Sequence, residues 1–207
     1  MNRQMTMYLN LLTYYMMNIV ITLIIGLFAE QSCAAAAFSL PNLVRQTMQT
    51  YFESNETNKN DIEALLKTVP PEYNKPAGVF VTLSSHGKTR ACWGSIEPTQ
   101  SNIIESTIYG TINALKKDYR HKPVQSSEWK NLKPQVTVIK EIEPIYSIRS
   151  QNALINGLLI KANNKSALLL PGEATDAYYQ LVQCKLKAGI QKGEAYQMYR
   201  IKAAIYE

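Results

Sequence analysis

The chain has 207 residues, 46% hydrophobic and 18% charged. That balance fits one folded domain with a core of normal size and excludes an intrinsically disordered chain. The net charge of +6 is spread thinly; its densest stretch, Lys116 to Lys122, reads as a solvated helix end without the interleaved aromatics of a nucleic-acid surface, which puts nucleic acid last among the partner classes.

Residues 1–37 read as an address rather than as fold. No charge occurs between Arg3 and Glu30. The apolar run Ile19 to Ala29 has the length of a signal-peptide core and is short for a spanning helix. Ala34 to Ala37 offers small-residue cleavage registers ending at Ala36 or Ala37. An uncleaved N-terminal membrane anchor is the alternative, because the uncharged stretch from Gln4 is long. Cys33 is a lipidation candidate, against which Glu30 and Gln31 stand where a lipobox has apolar and small residues. In each case residues 38–207 are expected outside the cytoplasm, periplasmic or secreted, or tethered through the N-terminal segment alone. Cys92 and Cys184 then share an oxidising space, where a disulfide between them competes with two free buried thiols.

In chain order, Ser39-Leu40-Pro41 predicts a helix start, and Leu43, Val44, Thr47, Met48, Tyr51 and Phe52 follow at helical spacing. Asp61 to Leu66 predicts a short helix stopped by Pro70-Pro71. Val79 to Leu83 and Thr89 to Ile96 predict a hairpin turning at His86-Gly87. Asn102 with Glu105 resembles a capping box for a helix to Lys117. Gln135 to Ile142 alternates as a strand. A second hairpin, Gly157 to Lys161 with Ala167 to Leu170, turns at Asn163-Asn164. Thr175 to Lys187 predicts a helix stopped at Gly189, and Met198 to Tyr206 a last strand. Hairpin, helix, strand thus occurs twice, which predicts an α+β fold of two pseudo-equivalent lobes sharing one sheet or packing face to face.

The segment Thr89-Arg90-Ala91-Cys92-Trp93-Gly94 concentrates the chemistry. Strand alternation sends Arg90 and Cys92 from one face, and a cation beside a thiol favours the thiolate, making Cys92 a candidate nucleophile; the competing reading is a small buried hydrophobe on a central strand. His86 is too far along the extended chain to pair with Cys92, and His121 approaches only through tertiary folding. Arg90 and Arg120 have the planar forks for a carboxylate or phosphate clamp, or else form internal ion pairs with Glu97 and Asp118. The spacing of His and Cys gives no zinc site, and no nucleotide or other cofactor fingerprint is present.

These segments together resemble the AMMECR domain family. Gly78-Val79-Phe80-Val81-Thr82-Leu83, Gly87, then Thr89 to Gly94, Ser95, Glu97 and Pro98 follow the family's signature. Asp118, Arg120 and Pro123 match a downstream Asp-x-Arg with its proline. Gly157, Leu168-Leu169-Leu170-Pro171, Lys187-Ala188-Gly189 and Tyr199-Arg200 extend the likeness across about Leu40 to Glu207. Ala91 stands where the family has Gly, with the expected effect of hindering close backbone approach of a ligand. Trp93 stands where it has Ile, with the expected effect of narrowing or roofing a pocket. The resemblance implies a compact two-lobed α+β domain and, by association with the AmmeMemoRadiSam system, a Memo-type or radical S-adenosylmethionine protein as partner. It names no reaction.

The expectation is an exported domain with a small-molecule or thiol site in which Cys92 attacks or carries an acyl or modified group. Arg90, Gly94, Glu97, Asp118 and Arg120 surround the ligand. A non-catalytic scaffold using the same groove for a partner protein or peptide is the rival.

Overall fold

The computed structural model describes residues 38–53 and 69–207. The leader or anchor expected at 1–37 and the short helix expected at Asp61 to Leu66 lie outside the described residues. No helix among the described residues is long and apolar enough to cross a membrane.

Helix α1 (Leu40–Glu53) opens where the Ser39 Oγ accepts from the Asn42 N–H. Strands β1 (Val79–Ser85) and β2 (Lys88–Ser95) form the first hairpin. Its two turn residues, His86 and Gly87, both take positive φ, the geometry that matches the twist of paired strands. Helix α2 (Ile103–Lys117) begins at Asn102, whose side chain accepts from the Glu105 N–H, while the Glu105 carboxylate accepts from the Ser101 N–H. The capping residues are those expected, but the reciprocal bond lands one residue earlier than in a capping box. Strand β3 (Lys133–Ile145) runs beyond its expected Gln135 to Ile142 at both ends, because β1 pairs with it back to Lys133 and the last strand pairs with it out to Ile145.

Strands β4 (Gly157–Ala162) and β5 (Lys165–Leu169) make the second hairpin. Helix α3 (Ala177–Ala188) starts two residues later than expected, since Asp176 supplies the N-cap by accepting from the Tyr179 N–H. It stops at Gly189, whose N–H returns to the last turn's carbonyls. Strand β6 (Gln197–Tyr206) closes the sheet.

All six strands are antiparallel in one sheet ordered β2-β1-β3-β6-β4-β5. Helices α1 and α2 cover one end, burying Leu40, Val44, Met48, Ile104 and Leu115 against Val81 and Val136. Helix α3 covers the other, packing Cys184 on Leu158 and Ile160. The opposite sheet face carries a smaller cluster, Ile139, Leu159, Leu170 and Ile201, joined by Phe80 from β1. Phe80 and Leu159 belong to strands separated by β3 and β6, so the sheet must curl until its two ends approach. The result is an α+β fold with a curled sheet and, among the described residues, three α-helices.

Ile201 is fully buried at the centre of that inner cluster, on β6 between β3 and β4. Ile201→Ala is therefore expected to lower unfolding stability by about 3 kcal/mol through lost burial and the residual cavity; urea denaturation followed by circular dichroism checks it.

Candidate thiol cleft between the two sheet edges

The curl leaves an open cleft of about 360 Å³. Cys92 and Gly94 on β2 and Phe80 on β1 form one wall. Leu159, Ser166 and Leu168 on β4 and β5 form the other, continued by Glu173 and by Lys187 of α3. Asp118, Tyr119 and Arg120, just past α2, stand at β2's side. Gly94 is needed here because a Cβ would run into the β1 backbone and the Phe80 ring, which crosses over it.

Asp118 organises this wall. Its side chain is 3% exposed and meets four donors. Oδ2 accepts from the Cys92 N–H at 2.8 Å and from Arg120 Nη2 at 2.8 Å. Oδ1 accepts from Arg120 Nε at 2.8 Å and from the Arg120 N–H at 3.1 Å. Burial alone would raise this carboxyl, but the hydrogen bonds from Arg120 and from the Cys92 N–H outweigh it and hold the group at about 2. The same bonds hold the Arg120 guanidinium above its ordinary value. Among the described residues, no hydrogen bond joins Arg120 Nη1 to a protein oxygen, and the side chain is 43% exposed.

The Cys92 sulfur accepts from Thr82 Oγ1 at 3.5 Å. Burial pushes the thiol upward; Thr82 and Arg120 oppose that shift without reversing it, and Glu173 across the cleft adds to it. The net direction at Cys92 is upward, against the thiolate expected from Arg90: that guanidinium is turned to Glu128, and desolvation exceeds the help that Thr82 and Arg120 give. Cys92 and Cys184 are both free, so the disulfide alternative is not the one adopted.

Arg90 does not join the cleft. Its Nε and Nη2 donate to the Glu128 carboxylate at 2.9 and 2.7 Å, and Nη1 donates to the Lys122 carbonyl at 3.0 Å. It fastens the 122–128 loop to β2, so its ion-pair partner is Glu128 rather than the expected Glu97 or Asp118, and it forms no clamp with Arg120. Alternation fixes the face from which a side chain leaves, not where a long guanidinium stem ends. Glu97 lies exposed beyond β2, its N–H donating to Ser95 Oγ, and does not line the cleft. His121 does not line it either. Ala91 is fully buried in the α1/α2 core, on the side away from Cys92, so it does not obstruct a ligand. Trp93 lines the cleft while also packing against that core.

Sequence reasoning missed Phe80, Tyr119, Glu173 and Lys187. Lys187 and Phe80 lie within the matched segments Lys187-Ala188-Gly189 and Gly78 to Leu83, a signal that could have raised them. Glu173, on an exposed turn, carried none.

The geometry defines a class: a single-sheet α+β domain whose two edges converge on a thiol-bearing cleft. A family model described as AMMECR1 matches residues 41–207. A protein of Methanothermobacter thermautotrophicus is 32% identical over 152 residues, spanning 67% of this chain and 79% of its own length. One of Thermotoga maritima is 31% identical over 146 residues, spanning 68% and 84%. The crystal structure of an uncharacterised protein from Pyrococcus horikoshii aligns with a TM-score of 0.70 at 27% identity, covering 80% of this chain and 88% of that one. The chain belongs to the AMMECR1 family.

A carboxylate lowered from 3.8 to about 2 on folding contributes about 2 kcal/mol of stability, present above the unfolded value and lost as pH falls from about 4 toward 2. Asp118→Asn is expected to flatten the stability profile across that window and to lower stability at neutral pH by at least about 2 kcal/mol. Urea midpoints measured from pH 2 to 7 for both chains check this.

Proposed function

We propose that the cleft binds a small molecule carrying an anionic group, with Arg120 as the anion contact and the Cys92 thiol beside it. One observation carries the reading: a thiol and a guanidinium that Asp118 orients through Nε and Nη2 line the same open, partly apolar cleft. Phe80, Leu159 and Leu168 supply surface for an apolar body. Where the ligand is an acyl compound, the Cys92 sulfur forms a thioester as the acyl carbon's bond to its leaving group breaks, and the thiol proton departs with that group. The raised thiol makes this step slow unless the ligand itself brings a base.

The scaffold reading, with a partner's extended segment pairing along the groove, finds less support. The Cys92 N–H on edge strand β2 is already taken by Asp118, and the Leu170 N–H just past edge strand β5 donates to Glu173 at 2.7 Å. Those are groups a visiting strand would need. We also infer that the two halves are pseudo-equivalent lobes, since the strand order reads hairpin then single strand from either edge. From the resemblance we infer a Memo-type or radical S-adenosylmethionine-associated partner, and from the leader an extracytoplasmic domain, tethered if the leader is retained. Sequencing the mature N-terminus tests the last point: a chain that begins at Met1 rules out the freely soluble exported form.

Alkylation tests the site directly. In the folded chain, Cys92 is expected to react slowly at pH 7 and faster as pH rises past its elevated value. Anionic iodoacetate should gain on neutral iodoacetamide by several-fold relative to the unfolded chain, and Arg120→Ala should erase that gain. Mass spectrometry assigns the modified thiol; a Cys92 that reacts only after unfolding sinks the proposal.

A further inference from the structure

The far wall of the cleft carries two charged side chains to which an anion at Arg120 gives no role: Glu173, on the turn before α3, and Lys187, in the last turn of α3. They line the same opening, yet among the described residues no ion pair joins them. Lys187 Nζ donates instead to the Leu168 carbonyl at 3.0 Å. Glu173 is held from one side: Oε2 accepts from the Leu170 N–H at 2.7 Å, and among the described residues Oε1 accepts no hydrogen bond. A backbone donor thus fixes an exposed carboxylate in the cleft with one oxygen uncommitted. The two far-wall charges also differ in what they reach. The Arg120 guanidinium is presented toward the Cys92 sulfur, and the charge of Glu173 acts on that sulfur from the opposite wall. Lys187 acts on Cys184, buried under α3. A ligand that starts at Arg120 and passes the thiol therefore meets the carboxylate before the ammonium.

We propose that Glu173 is a second anchor of the cleft, accepting from an ammonium group, so that the ligand is a small zwitterion whose anion sits on Arg120. This rests on Arg120 as the anion contact, the reading proposed for the cleft. Charge and rigidity select the zwitterion over a dianion. A dianion would carry its second negative group up to Glu173, at the point where that carboxylate needs a donor. Lys187 could answer it only from the end of a flexible stem, whose ordering costs entropy. The Glu173 carboxylate is already held in place and suits the three donors of an ammonium. Each end of a zwitterion then finds the opposite charge, and its body lies on Phe80, Leu159 and Leu168. A cleft of about 360 Å³ is at the small end of ligand pockets, which suits an amino acid or a comparable amine-bearing acid. Glu173 is exposed, so the ammonium contact is expected to add about fivefold in affinity rather than orders of magnitude.

Protection of Cys92 in the full chain tests this. Neutral iodoacetamide labels the thiol at pH 8. The probes are γ-aminobutyrate, δ-aminovalerate and ε-aminocaproate, each set against the monoacid and the diacid of equal length. Mass spectrometry reads the concentration that halves labelling. At one length or more, the amino acid is expected to protect at about fivefold lower concentration than its monoacid, and the diacid no better than the monoacid. Glu173→Gln keeps an oxygen for the Leu170 N–H and removes the charge. It should erase the amino acid's advantage and leave protection by the monoacid, with circular dichroism melting to confirm its fold. Amino acids no better than monoacids overturn the proposal, and so does an absence of protection by every probe. An advantage that survives Glu173→Gln overturns it too, as do diacids that protect best, which make Lys187 the second anchor. The anion reading is separable. If the iodoacetate gain that depends on Arg120 persists, only the ammonium anchor has failed; if that gain is missing as well, the anion contact has failed with it.

Discussion

The buried Asp118 carboxylate is the contact on which the site depends. A charge nearly sealed from water is costly unless every lone pair finds a donor. Here the donors come from three sources: the N–H of an edge strand, the backbone two residues on, and a guanidinium. Each does separate work. The Cys92 N–H ties the segment after α2 to β2. The Arg120 N–H folds the chain back over the carboxylate. The guanidinium, held through Nε and Nη2, is presented toward the Cys92 thiol. A short Asp-x-Arg sequence thus becomes a rigid arm that carries a cation to a thiol on a neighbouring strand.

The second wall follows a related logic. The Leu170 N–H just past edge strand β5 is satisfied by Glu173, as that of Cys92 on β2 is by Asp118. Strand edges with free N–H groups invite pairing with another chain, and a side-chain carboxylate is one way to blunt them. In this fold the two blunted edges do not face open solvent; the curl of the sheet turns them toward each other. What remains between them is a cleft rather than a closed barrel. Its interior is lined by the side chains that the alternation of β1, β2, β4 and β5 sends inward, with Phe80 crossing over Gly94 to reach Leu159 and Leu168.

Much of this was legible in the chain. Hydrophobic alternation, the His86-Gly87 turn, the Asn102 cap and the Gly189 stop are local signals, and they located every strand and α-helix among the described residues to within a few positions, though not the three short 3-10 turns. The cysteine, the aspartate and Arg120 were also visible, because a thiol on a strand and an Asp-x-Arg after a helix stand out from ordinary composition. Arg90 was misplaced for a physical reason. Its destination was set by Glu128 and by two loop carbonyls in a segment with no periodicity to betray its path. The thiol's upward shift was hidden for another: the pull of a cation can be guessed from neighbours, whereas desolvation depends on walls built by residues scattered from Phe80 to Lys187. Glu173 and Lys187 belong to the far wall, and only the curl of the sheet brings them opposite Cys92.

These terms limit what a ligand can do at Arg120. An anion cannot displace Asp118 from the guanidinium, because that would leave a buried carboxylate without its Nε and Nη2 donors, each charge-assisted bond contributing roughly 1.5–3 kcal/mol. It must add to the guanidinium from the Nη1 side, through one or two bonds, and find the rest of its affinity on the apolar walls. Under the proposed reading the anion is fixed in position but held modestly, and discrimination among ligands falls to the shape of Phe80, Leu159 and Leu168. Under the same reading, burial that raises the Cys92 thiol slows its reaction with solvent-borne electrophiles. Selectivity in the proposed site then comes from placement by the guanidinium rather than from a standing thiolate.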